Sequence, residues 1–399
     1  MNFTLSDEQI LFQESVDNFV AKEFDFDQRR GLVTSEDGFS RDHWANFSEL
    51  GWLGLALDEA HGGLGGSALD TTVLMEAFGR GLVPSPYLSS VVLGGGLVAT
   101  AGNDMQKSAL LPSLVVGELI LAFAYAEPRG RYDLAHVETR AEKKNGGYVL
   151  SGHKSVVFHG TSAERIVVSA RTSGAVGEVD GISLFLLARE TPGLSLRPYP
   201  TIDGLRAAEV MLAEASGELL GAEGQAYGVI EAVIDNAIIA VCAEAVGIMQ
   251  TLNEMTRAYV DSRKQFGVAI GKFQVLQHAL VDMYMAHELS KSLTYRAAGV
   301  VVTADMRGRA RAASAAKVQI GKAGKGADAV EAETVHVGFD FFFGQVIGKG
   351  IAKGGHARCG DFPQGVEVLQ AALANADEAD SDAVFHGSTP GAERELSRF

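Results

Sequence analysis

Apolar side chains recur at helical spacing over the first ~115 residues, and the period then changes twice along the chain. In TLSDEQILF, Ser6 takes an N-cap position with Gln9 three residues on, and Leu5 and Ile10 take those of a hydrophobic staple. Leu11, Val16, Phe19 and Val20 continue an apolar stripe. HWANFSELGWLGLALD predicts a second amphipathic helix that stops near Gly51, and ALDTTVLMEAFGRGL predicts another. Between them lies HGGLGGS, residues 61–67. No strand pattern precedes these glycines, so they read as a connector and not as a phosphate loop.

From Leu119 the apolar residues bunch into short β-branched and aromatic runs: ILAFAYAE, VETRAEKK, YVLSGHKSVVFHG, RIVVSART and GISLFLLAR. Turn signals separate them, with Asn145-Gly146-Gly147 marking a tight turn. From Ala226 the helical period returns in two long proline-free stretches, the first ending in DSRKQF, and ARAASAAKVQIGKAGK begins a third. Long helices with short breaks predict an antiparallel bundle. The expected fold is therefore α+β and multidomain. An N-terminal all-α domain occupies 1–117, a middle antiparallel β domain 118–222, and a C-terminal antiparallel helical bundle 223–325. The remainder, 326–399, carries twelve Asp and Glu against five Lys and Arg. That acidic composition predicts a disordered tail, apart from a helix at GVEVLQAALANADEA.

Charge narrows the function. A formal net charge of −16 over 399 residues repels nucleic acid and anionic membrane, so neither is an expected partner. Cys242 and Cys359 are the only cysteines, which excludes a disulfide framework and suits a reducing compartment. Asp7 and Glu8 interrupt any leader, and the uncharged run 81–102 is broken by Pro84, Pro86 and Gly94–Gly96. The expected location is cytoplasmic, and no metal site is assigned.

The most specific stretch is DSRKQFGVAIGKFQVLQ, residues 261–277, where a helix breaks at Arg263 and resumes after Lys272. A guanidinium can grip a pyrophosphate with two parallel hydrogen bonds, and an aromatic beside it can pack on a planar ring. Alternatively, Arg263 is a helix-end cation favoured by the macrodipole. Arg263, Phe266, Gly267 and Gln274 match a motif of the acyl-CoA dehydrogenase family, which the chain resembles over 1–325. FAYAEPRGRYD (123–133) resembles the family's strand ending in Thr-Glu-Pro, with Ala126 for the threonine. GHKSVVFHG (152–160) resembles its flavin-side strand, with Val156, Phe158 and His159 replacing tryptophan, threonine and asparagine. GLRAAEV (204–210) resembles a Gly-x-Arg stretch in which Arg206 either contacts CoA or pins a loop.

The resemblance implies FAD as cofactor and α,β-dehydrogenation of an acyl-CoA thioester, with hydride passing to flavin N5 and an electron-transfer flavoprotein as acceptor. It places Arg263, Gln265, Phe266, Ile270, Phe273 and Gln274 on one side of FAD, and Phe123, Tyr125, Ala126, Val156 and Phe158 on the other. Arg206, Asp235 and His159 are its substrate candidates, His159 alternatively being structural. Because the arginine reaches a neighbour's cofactor in the family, a homo-oligomer or a hetero-oligomer with a homologous subunit is expected.

The base departs from the pattern. The family's helix glutamate falls on Ala237 and the adjacent arginine on Ile238. Asp235 is the nearest carboxylate and the candidate base, with Glu231 about one turn further back. Solvent-facing helix charge is the alternative for both, and Glu244 is expected in a bundle ion pair. His336-Val337-Gly338 is a degenerate trace of the family's His-Gly-Gly, and KGGHARCG at 353–360 is displaced from it. Natural divergence and a frameshift near residue 325 both account for this loss. The chain further resembles small subunits that pair with a larger homologue and act on dicarboxylic or steroid-derived acyl-CoA. The alternative function is thus a non-catalytic partner that completes another subunit's FAD site.

Overall fold

The computed structural model describes residues 5–144, 146–301 and 304–328. The sequence readings on His336-Val337-Gly338, on 353–360 and on the tail helix lie outside them, as does Cys359.

Among the described residues six α-helices come first: α1 (Asp7–Glu23), α2 (Phe26–Thr34), α3 (Arg41–Glu49), α4 (Ala68–Gly81), α5 (Gly96–Ala101), which continues a π-helical stretch Leu88–Gly95, and α6 (Asp104–Val115). Local chemistry starts and stops them. Capping boxes begin α1, α2, α4 and α6, at Ser6/Gln9, Asp25/Gln28, Ser67/Asp70 and Asn103/Gln106. After α3 the chain turns at Gly51, whose φ of 75° suits glycine. One expectation fails at the start of α1. Ile10 and Leu11 are exposed, and only Val16 and Val20 are fully buried. The contact that α1 makes there is polar, because the Gln9 amide donates to Asp70 at the start of α4.

The middle strands are β1 (Leu121–Ala124), β2 (Arg140–Lys144), β3 (Gly147–Phe158), β4 (Arg165–Arg171), β5 (Ile182–Ala188), β6 (Leu194–Pro200) and β7 (Arg206–Leu220). Their order is β1-β4-β2-β3-β7-β5, with β6 on β7 and β5 also on β4, so the sheet curls back upon itself. Pairing is antiparallel except at β1–β4 and at the single β2–β4 contact, Arg140 to Arg171, which are parallel. The β2–β3 hairpin pairs Lys144 with Gly147 through Gly146 at φ 82°. Arg171 is fully buried, and its guanidinium donates to the carbonyls of Ala135, Val137, Ser173, Glu178 and Asp180. It thereby replaces strand pairing where loops cross the sheet end.

The last layer is α7 (Tyr227–Ser262), α8 (Gln274–Val301) and α9 (Met306–Asp328). By length and composition α7 could cross a membrane, but 78% of its most apolar stretch is buried in the fold, where it is the central core helix. It crosses α4 with the backbones in contact. A Cβ on Gly79 would stand 1.9 Å from the Glu244 carbonyl oxygen, and one on Gly247 would stand 1.9 Å from that of Glu76. Gly247→Ala must push the helices apart, and we expect a loss of about 3 kcal/mol in urea unfolding. Beside this crossing, buried Glu76 accepts from Arg80, from Lys291 at 2.8 Å and from the Tyr295 hydroxyl at 2.6 Å, which ties α4 to α8.

Candidate functional site

Between α7 and α8 the chain forms a two-stranded hairpin, β8 (Lys264–Gln265) and β9 (Val268–Ala269), followed by a 3-10 turn at Ile270–Lys272. Phe266 and Gly267 are its central residues, at φ 52° and 81°. That is the pattern of a type I′ turn, in which Asn-Gly is the usual pair. A phenylalanine held at positive φ is strained, and its ring is 92% exposed. Phe273 lies edge-on to it, with ring centroids 6.2 Å apart. Gln265 and Ile270 are half-buried and Gln274 is exposed. Arg263 ends α7, and its guanidinium makes no hydrogen bond or ion pair among the described residues. The hairpin thus gathers all six residues of the first predicted set at one exposed tip.

The second set belongs to the sheet. Phe123 is buried in β1, and its ring lies 5.0 Å from that of Tyr125. The Ala126 carbonyl accepts the Ser155 amide at 2.9 Å. There β3 slips register against β7 between Lys154 and Val157, and Val156 takes φ 53°. A β-branched residue with this φ at a bulge is costly, and such distortions re-aim strands beside binding sites. Phe158 and His159 follow, both buried. The main packing of β8 and β9 is with each other and with α7, so in one chain the two sets stand on separate parts of the fold.

Under the bulge lies a group that sequence reasoning took only as a motif match. Lys154 is fully buried and donates to Glu127 at 2.8 Å, to Ser169 at 3.1 Å and to the Tyr125 carbonyl at 3.3 Å. Glu127 also accepts from the Thr139 hydroxyl and from the amides of Glu138 and Thr139. Ligand atoms of Glu127, His136 and Glu138 lie within 4.8 Å of one another, but Glu127 is already fully engaged.

The substrate candidates separate. Arg206 donates to the carbonyls of Val33, Ser35, Glu36 and Gly204, so between the two readings the geometry favours the pinned loop. Asp235 is not solvent-facing helix charge. It is 2% exposed, and Arg309 on α9 donates to it at 3.0 Å. Protonating it would strand that guanidinium, which weakens its candidacy as base. Glu231 is half-buried and partnered, while Ala237 and Ile238 are buried in the core. The expected ion pair of Glu244 is absent among the described residues. Burial first and Asp203 second push its carboxyl up to about 8, and Arg29 opposes them. Arg29 is itself held by the carbonyls of Leu82 and Asp203.

His159 Nδ1 lies 3.0 Å from Ser89 Oγ. Ser89 Oγ is also 3.0 Å from the Pro86 carbonyl; when its hydrogen goes there, Nδ1 carries the imidazole proton and Nε2 accepts. That Nε2 is buried without a partner among the described residues. Burial depresses the histidine to about 4, so it is neutral at pH 7.

Comparison with known proteins matches three successive family models: acyl-CoA dehydrogenase N-terminal domain over 6–118, middle domain over 122–215 and C-terminal domain over 226–328. The probable acyl-CoA dehydrogenase YngJ of Bacillus subtilis (strain 168) is 30% identical over 306 residues, covering 75% of this chain and 80% of that protein. The prolyl acyl carrier protein oxidase AnaB is 27% identical with a TM-score of 0.75, covering 86% of this chain and 90% of that one. The Tcur3481-Tcur3483 steroid ACAD variant is 25% identical with a TM-score of 0.72, covering 94% of this chain and 100% of that one.

Proposed function

The chain belongs to the acyl-CoA dehydrogenase family, and from that premise we propose an FAD-dependent dehydrogenation of an acyl-CoA thioester at a site completed by a second subunit. One observation carries this reading: the Arg263 guanidinium, without a partner among the described residues, and exposed Phe266 stand on a hairpin away from the sheet residues that would face the same cofactor. The residues fit such a group. Arg263 offers a free fork to a pyrophosphate, while Phe266 and Phe273 offer ring faces. Tyr125, Ala126, Val156 and Phe158 form a mostly apolar edge with backbone groups opened by the bulge. FAD, when bound, supplies the acceptor for the β-hydride.

The chain's own part is to bind and orient the thioester and to keep water out, and an electron-transfer flavoprotein is the acceptor we assign. Exposed Tyr259, Phe266, Tyr284, Met285 and Leu289 on and near the hairpin helices support subunit assembly. The second reading, a non-catalytic partner subunit, is favoured by Ala237 and Ile238 at the base and arginine positions and by the engagement of Asp235 with Arg309.

Absorption spectra test both. The purified chain is expected to carry flavin, and Arg263→Ala to weaken FAD retention by roughly 10- to 100-fold, the value of a charged hydrogen-bond pair. Unchanged flavin stoichiometry in the variant would return Arg263 to a helix-end cation. Bleaching by an acyl-CoA under anaerobic conditions marks the chain as the catalyst. Stable yellow colour with every thioester marks it as the partner subunit.

A further inference from the structure

A cavity of about 30 Å³ lies between α4, the helical turn Leu88–Gly95, the end of β3 and α7. This is space for about two water-sized groups. Met75, Phe78 and Leu205 give it apolar walls, and its polar lining comes from Ser85, Tyr87, Ser89, His159 and Glu244, of which the Tyr87 hydroxyl already donates to the Trp52 carbonyl. No lysine or arginine lines it.

Glu244 follows Ala237 by two turns of α7 and falls within ~20° of the same face, about 10 Å further along the helix. Ala237 is the position to which the family resemblance assigns proton abstraction. A fully extended chain advances roughly 1.2 Å per bond. An extended acyl chain running along α7 from Ala237 would reach Glu244, and the cavity it lines, in about eight bonds.

Resting on the acyl-CoA reading above, we infer that this cavity receives a neutral hydrogen-bonding group, a hydroxyl above all, at the far end of the substrate's acyl chain. The walls present one buried ring nitrogen, His159 Nε2, and one carboxyl, Glu244, neither with a hydrogen-bond partner among the described residues. A hydroxyl offers the matching donor and acceptor. Glu244 is protonated at pH 7 and can donate. A terminal methyl would leave His159 Nε2 buried and unpaired and offer nothing to the half-buried Glu244 carboxyl. A terminal carboxylate would enter beside Glu244, where the nearby cation, Arg29, is already held by the carbonyls of Leu82 and Asp203. Ser89, His159 and Glu244 are thus specificity-determining residues for medium-chain ω-hydroxyacyl thioesters.

The test is calorimetric titration of the full chain, with FAD added, against ω-hydroxydecanoyl-CoA, decanoyl-CoA and decanedioyl-CoA. The hydroxylated thioester is expected to bind roughly 10- to 100-fold more tightly than decanoyl-CoA, with decanedioyl-CoA weakest. Glu244→Gln keeps a donor and an acceptor and should retain the preference. Glu244→Leu should abolish it. Should that variant not fold, His159→Leu reads the same preference. Equal binding of the first two thioesters by the wild type overturns the inference and leaves the dehydrogenase reading intact. A preference unchanged in Glu244→Leu also overturns it, since the cavity then holds an ordered water only. No binding of any thioester removes the acyl-CoA reading itself, and the inference with it.

Discussion

Lys154→Ala is expected to cost about 3–5 kcal/mol of stability, because it leaves the Glu127 carboxylate buried without its cation. Burial acts to raise Glu127, but Lys154 and the hydrogen bonds from Thr139 outweigh it and hold the carboxyl below its ordinary value. A depressed carboxylate stabilises the fold above its unfolded value near 4.5 and loses that contribution as pH falls through the folded value. The variant should therefore differ most from wild type at neutral pH, and the gap should narrow below about pH 4.5. Urea unfolding at pH 7 and pH 4 measures both. A loss under ~1 kcal/mol at pH 7 would sink the assignment. Lys154→Met combined with Glu127→Gln should recover part of the loss, since neither partner is then left charged. Flavin content should fall with Lys154→Ala as well, because Lys154 also holds the Tyr125 carbonyl at the edge of the bulge.

Glu244→Gln should act in the opposite direction. The raised carboxyl keeps its proton in the folded chain up to about 8, whereas the unfolded chain releases it near 4.5. Wild type therefore loses stability across that window as pH rises, and glutamine does not. The expected gain is on the order of 3 kcal/mol at pH 8, reduced from the full shift because the side chain is only half-buried. It should shrink towards zero at pH 4.5. His159 titrates between about 4 and 6.5 with the reverse slope, so the wild-type curve alone mixes the two. The difference between the wild-type and variant curves isolates Glu244. A gain that does not vary with pH would mean that Glu244 is ionised in the folded protein.

Much of the layer order was legible because periodicity is a local signal. The 36 residues of helical period in α7, or the β-branched run RIVVSART, need no knowledge of the partner element. The capping boxes at Ser6 and Ser67 are equally local. What the sequence did not reveal depends on contacts far along the chain. Leu11 belongs to the apolar stripe by spacing, yet the α1–α4 contact beside it is made by Gln9 and Asp70. Asp235 read as a candidate base or as surface charge because its partner, Arg309, stands on another helix. Arg171 carried no signal, because the five carbonyls that it binds come from loops without any motif. Glu244 looked like one more bundle acid. Only the packing of α7 on α4 shows it facing the cavity beside His159.

The glycine crossing of those two helices has a consequence for how substrates are chosen. With the Gly79 and Gly247 backbones seated against the opposite helix and Glu76 tethered to α8, α4 and α7 are locked in position. Met75 and Phe78 on one helix and Glu244 on the other must then keep a fixed separation. On the acyl-CoA reading proposed above, fit in this part of the molecule is lock-and-key, and a new acyl end group would be accommodated by exchanging a side chain, since parting the walls would break the glycine crossing.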